Sequence, residues 1–248
     1  MKSLQSQVKQ FLKTLKQNAD EEYRRGSEIS TPSRLKPIGV RVPILRKIAR
    51  DWVKENKETS DKEFLALLRA LWKQPVSEVR TLALELLMAN KKYLKNFDWQ
   101  IGESWLNDVD NWSHCDLLST QILGFLVLYD KSHLPKLKNY LKKKGRWFRR
   151  SAIVSLIQLI REKEISPLKV LAMIDQIADD RDPMIQKAIS WVLREMVRSG
   201  TGKEVKKYIK KNKDRLAGFV GREVQNKLKT GLKSGKPRKK TIPSGGVF

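Results

Sequence analysis

EVRTLALELL (78–87), HCDLLSTQIL (114–123), FRRSAIVSLI (148–157) and IQKAISWVLR (185–194) align position by position. In each block apolar residues recur at steps of three and four, the spacing of a helix with one buried face. The third residue of each block is Arg80, Asp116, Arg150 and Lys187, at intervals of 36, 34 and 37 residues. A helix pair recurring at that interval is the mark of a HEAT-like array, whose units bury their apolar faces against one another. The same periodicity predicts helices near 3–17, 43–56, 60–73, 77–93, 98–106, 112–129, 134–144, 147–162, 168–179, 184–198, 203–212 and 218–232. No segment alternates convincingly with period two. Ser166-Pro167 and Asp182-Pro183 each place a capping residue before a proline at the first helical position. The expected fold is all-α, a right-handed HEAT-like solenoid with a basic concave groove. Residues 1–233 read as one domain and 234–248 as a basic tail.

The 248 residues carry 52 Lys and Arg against 27 Asp and Glu, a formal net charge of +25. From Thr201 onward fifteen cations face three acids, so the rest of the chain still carries +13. An excess of that size bears on partners rather than fold, and a polyanion is the expected one. The single cysteine, Cys115, excludes a disulfide framework within the chain, and with only His114 and His133 beside it no zinc site is expected. The longest apolar run, 122–129, is too short to span a bilayer, and the first residues lack a signal-peptide core. These features predict a soluble, cytoplasmic, monomeric protein without a membrane partner.

Equivalent positions in a repeat array form a row on one surface. Arg80, Arg150 and Lys187 in that row suit a phosphate backbone; Asp116 does not, and calls for another explanation. Trp112 lies one turn before Asp116 on the same side, and Arg146 precedes Arg150 in the same way. On 184–198, Ile185, Ile189, Val192 and Met196 form the core stripe, while Lys187, Trp191 and Arg194 form a second one. On 112–129 the core stripe reads Leu118, Ile122, Phe125 and Tyr129. Each tryptophan can also be explained by burial against the next repeat, and Asp116 by a salt bridge to Arg150 or Arg80. His114 and Cys115 read as helix-start and core residues. A fixed carboxylate between aromatic faces is equally suited to an oxocarbenium-like sugar, the species formed when an N-glycosidic bond breaks. With no second acid in the row to protonate a leaving group, the fitting substrate is one whose leaving group is already cationic, an N3- or N7-alkylated purine.

At GVRVPILRK (39–47), LWKQPVSEVRTLALELL (71–87), WSHCDLLSTQILG (112–124), RWFRRSAIVSL (146–156) and IQKAISWVLREM (185–196) the sequence resembles the AlkD-type DNA alkylation repair enzymes. The resemblance runs from about Gly39 to Arg222 and implies a DNA glycosylase of base excision repair acting on alkylated bases in double-stranded DNA. It puts the catalytic carboxylate on Asp116 and the two active-site tryptophans on Trp112 and Trp191. Arg150 and Arg194 then contact the DNA backbone, Arg41 approaches the duplex, and neither metal nor cofactor takes part. The segment between Tyr23 and Gly39 is longer than the family pattern. Two other readings stand beside this one: a non-catalytic solenoid binding branched or distorted DNA, and a protein-interaction scaffold.

Overall fold

A computed structural model describes residues 3–236; most of the basic tail expected at 234–248 lies outside the described residues. The helices are α1 (Leu4–Gln17), α2 (Glu21–Ser30), α3 (Val42–Glu55), α4 (Asp61–Trp72), α5 (Ser77–Ala89), α6 (Lys91–Lys95), α7 (Trp99–Asp108) and α8 (Trp112–Leu117). A π-helical segment, Leu118–Leu123, leads into α9 (Gly124–Tyr129), and a single 3₁₀ turn, Lys131–His133, leads into α10 (Leu134–Tyr140). Then come α11 (Arg146–Val154), α12 (Leu156–Arg161), α13 (Pro167–Asp175), α14 (Pro183–Arg198), α15 (Gly202–Lys211) and α16 (Gly218–Thr230). Among the described residues the only β-type pairing is one isolated bridge between Lys36 and Val76. The fold is therefore all-α.

The helices start where short polar side chains relieve the unpaired N–H groups of a first turn. Ser60 and Glu63 form a reciprocal capping box at α4. Asn111 accepts from the His114 N–H at α8, and Ser166 and Asp182 cap α13 and α14 as the sequence indicates. α16 ends on Gly231, whose φ of +72° is the left-handed conformation that closes a helix.

Where the sequence reading has one domain over 1–233, contacts divide the chain into two compact units, one ending at Gln158 and one starting at Leu159. A repeat array has no single core, because each unit touches chiefly its sequence neighbours. In the first unit α5 lies against α3, α4 and α8, and α11 against α7, α8 and α10. Leu82, Leu86, Leu118, Ile122, Ala152 and Ile153 are fully buried there. In the second, α14 lies against α15 and α16, burying Ile185, Ile189, Val192 and Met196 as the periodicity foretells.

Four sequence expectations need correction, the first being the helix drawn over 147–162, which divides at Ser155 into α11 and α12. The helix drawn over 77–93 breaks at Asn90, which ends α5 and caps α6 with its side chain. The stretch between Asp20 and Ser30, given no helix by apolar periodicity, forms α2. It buries no residue and is held by ion pairs from Arg24 to Glu21 and Glu28. The stripe Leu118, Ile122, Phe125, Tyr129 fails at its end, where Tyr129 is 60% exposed. A π-helical turn holds more than 3.6 residues, so it rotates every later position. Leu126 rather than Phe125 is buried.

Candidate active site

Asp116 and Arg150 stand in the second turns of α8 and α11, helices that lie side by side in the first unit. Their side chains meet as a fork: Arg150 Nε donates to Oδ1 and Nη2 to Oδ2, both at 2.7 Å. The pair is well shielded, with 15% of the Asp116 side chain and 6% of the Arg150 side chain exposed. Burial pushes the Asp116 carboxyl above its ordinary value, against the hydrogen bonds and charge of Arg150. Of the two salt-bridge partners open to Asp116 from sequence, the structure selects Arg150. This cation, expected on a DNA backbone, is engaged inside the protein.

Trp112 opens α8, one turn before Asp116, and is 37% exposed. Its indole Nε1 donates to the Ser30 carbonyl at 3.0 Å, fixing the ring against the end of α2. The segment that follows α2 is fastened by Asp110, which accepts from Ser33 Oγ (2.7 Å) and the Arg34 N–H (2.6 Å). Burial disfavours the Asp110 charge, but the hydrogen bonds from Ser33, Arg34 and Asn111 outweigh it and hold the carboxyl at about 2. Farther along, buried Glu78 accepts from the N–H groups of Ile38, Gly39 and Val40 at 2.8, 2.7 and 3.2 Å. Gly39 has a φ of +96°, and a side chain there would strike the Asp20 carbonyl. With the bridge from Lys36 to Val76, the segment from Ser30 to Val40 is thus a strap pinned at four points, and sequence reasoning missed its anchors. In the sequence Asp110 stands out only by lying just ahead of the helix that bears Asp116, and Glu78 has no signal beyond an acid among core residues.

The strap delivers Arg41 to the start of α3, half exposed, paired with Asp20 at 2.8 Å and 4.9 Å from the centre of the Tyr23 ring. Arg80 is drawn inward: its guanidinium lies 5.0 Å from the centre of the Trp72 ring and donates to the Asp108 carbonyl at 3.3 Å. Its Nε is buried without a partner among the described residues, and burial lowers its pKa against the pull of Asp108 and Asp110. Arg146, first residue of α11, is exposed.

His114 is a structural residue. Asn111 Nδ2 donates to its Nδ1 at 2.9 Å, so Nε2 carries the proton and donates to the Ser77 carbonyl at 3.1 Å. Burial brings its pKa down to about 4. Cys115 is buried beside Ser119 and the Trp147 carbonyl, and burial pushes its thiol pKa far up.

In the second unit Lys187 is exposed on α14 and Trp191 half-buried, with its Nε1 3.4 Å from Glu195 Oε1. Arg194 is 3.4 Å from Ser190 Oγ and 3.6 Å from a Glu223 carboxylate oxygen; burial lowers its pKa against those acids. The stripe that reads as Lys, Trp, Arg therefore holds two carboxylates as well. Glu195 was legible at i+4 from Trp191, whereas Glu223 arrives from α16. Among the described residues no group of three His, Cys, Asp or Glu side chains is arranged to hold a metal ion.

Residues 11–228 match the DNA alkylation repair enzyme family. The chain belongs to that family. Membership supports a role in the repair of alkylated DNA, with DNA as the partner. A predicted DNA alkylation repair enzyme from Enterococcus faecalis has a similar structure, with a TM-score of 0.72 at 18% identity over 86% of this chain and 98% of that one. AlkD2 from Streptococcus mutans aligns at a TM-score of 0.55 and 17% identity, covering 82% of this chain and 89% of its own. The protein smu.31 from Streptococcus mutans UA159 aligns at 0.52 and 18%, covering 68% and 83%. At such identities the likeness is one of helical-repeat fold. No curated protein matches the sequence significantly. Among the described residues no helix is long and apolar enough to cross a membrane.

Proposed function

We propose that this family member is a monofunctional DNA glycosylase that releases N3- or N7-alkylated purines from duplex DNA, with Asp116 stabilising the sugar cation. The observation that carries the reading is the forked Asp116–Arg150 pair with Trp112 one turn away. A charge-assisted fork holds the carboxylate as an anion in one orientation, and each oxygen keeps a lone pair for a cation. A bare carboxylate about 4 Å from a cation at an effective dielectric of 20 is worth roughly 4 kcal/mol. Arg150 offsets part of that, so the aromatic faces supply a larger share. Asp110, held ionised at about 2 and committed to the strap, is no proton donor at neutral pH. An alkylated purine that leaves as a neutral base needs none.

Arg150 acts here first as the residue that positions Asp116, and any phosphate contact it makes is additional to that pair. Lys187, Arg194, Arg146, Arg80 and Arg41 are proposed DNA contacts. Trp191 is proposed as a second aromatic group on the evidence of the motif alone. In Asp116→Asn, single-turnover release of 7-methylguanine falls by about two to three decades, a loss of roughly 3–4 kcal/mol. Affinity for undamaged duplex holds or rises. Unchanged release would remove the mechanism.

The neutralisation of Asp116 by Arg150 favours a second reading, a binder of distorted DNA without catalysis. In that case wild-type protein releases no base from methylated duplex yet prefers branched over linear DNA.

A further inference from the structure

The pair α15 and α16 bounds a groove of about 840 Å³ on the second unit. Its floor is apolar, formed by Ile209, Leu216 and Leu228 and by bare backbone at Gly218 and Gly221. Lys206 and Lys210 of α15, Lys213 just beyond it, and Arg222 and Lys229 of α16 wall it on both sides. No carboxylate lines it, and among the described residues none of these five cations is paired with one. Three acids of this unit are engaged by other groups: Glu223 by Ser190, Arg194 and Lys233, and Asp175 and Asp179 by Arg215.

Gly221 adds an independent observation. A glycine inside a helix weakens it. This one has no positive φ, and a Cβ there would meet nothing within 4 Å. No local contact requires its missing side chain, and the result is an open trench along α16.

We propose that this groove docks an acidic amphipathic helix of a partner protein. Such a helix lays Leu-like anchors at i, i+3, i+4 and i+7 on the apolar floor and sets Asp and Glu against the two cationic walls. The basic run Arg238, Lys239 and Lys240 of this chain has the wrong sign for the place. Duplex DNA would satisfy the cations and leave the apolar floor uncovered.

The probe is a fluorescein-labelled 20-residue synthetic helix with leucines on one face and glutamates flanking them, compared by anisotropy with a scrambled peptide of equal composition. The full chain binds the ordered peptide at least roughly tenfold more tightly than the scrambled one. Gly221→Leu, which fills the trench, and Arg222→Glu, which reverses an exposed wall charge, each weaken it by roughly tenfold or more. Circular dichroism confirms that both variants fold, and duplex DNA affinity in the same variants changes by less than about twofold. Equal binding of the two peptides, or indifference to Gly221→Leu in the folded variant, overturns the proposal. So does a loss of DNA affinity that matches the loss of peptide affinity, which would make the groove a nucleic-acid surface.

Discussion

His114 is fixed between Asn111 and Ser77 in the neutral form and ties α8 to α5. Its pKa falls from 6.5 to about 4 on folding. Between those values the unfolded chain binds a proton that the folded chain refuses, so stability drops as pH falls through that window and is intact above it. From pH 7 to pH 5 this single group removes roughly 2 kcal/mol. Urea midpoints at the two pH values measure it, and His114→Gln flattens the difference by that amount; an unchanged difference would mean that the ring titrates normally. Asp116 was legible as a residue because it broke a row of cations. That its charge is met by Arg150 was legible only as one option, since a period shows that two side chains share a surface but not that they touch.

Helices were legible wherever sequence supplies a cap and a stripe together, as at Ser166-Pro167 and Asp182-Pro183. α2 has no stripe to read, because ion pairs rather than burial support it. The π-helical turn escaped because counting in steps of 3.6 presumes what it tests. Its neighbour Gly124 shows what the irregularity accommodates: a Cβ there would sit 2.5 Å from the Ser155 carbonyl oxygen and 3.0 Å from that of Ser119. α9 and the junction of α11 and α12 thus approach at backbone distance. Gly124→Ala forces main chain apart, an overpacking loss of about 1–3 kcal/mol that outweighs the better helix propensity of alanine. Calorimetry then shows a lower Tm, whereas Gly221→Ala, in open space, raises it. A Gly124→Ala protein as stable as the wild type would contradict the close approach.

Over the full chain the charge of +25 governs encounter with a polyanion. Binding to undamaged duplex weakens with salt, log K falling against log salt by about 0.9 for each phosphate contact. Replacing exposed Arg41 or Lys187 by alanine reduces that slope by about one apiece, with little change in sequence preference. Titrations between 50 and 200 mM salt test this, and a slope that neither substitution alters would take both residues out of the interface. The lone thiol has a consequence of another kind. Methylating agents that damage DNA also attack thiolates, and the thiolate is the reactive form of cysteine. Cys115 is wholly buried and kept as the thiol. Burial thus shields the one thiol of the chain from the electrophile. Folded protein incubated with methyl methanesulfonate keeps Cys115 unmodified by mass spectrometry, while protein in urea gains a methyl group there.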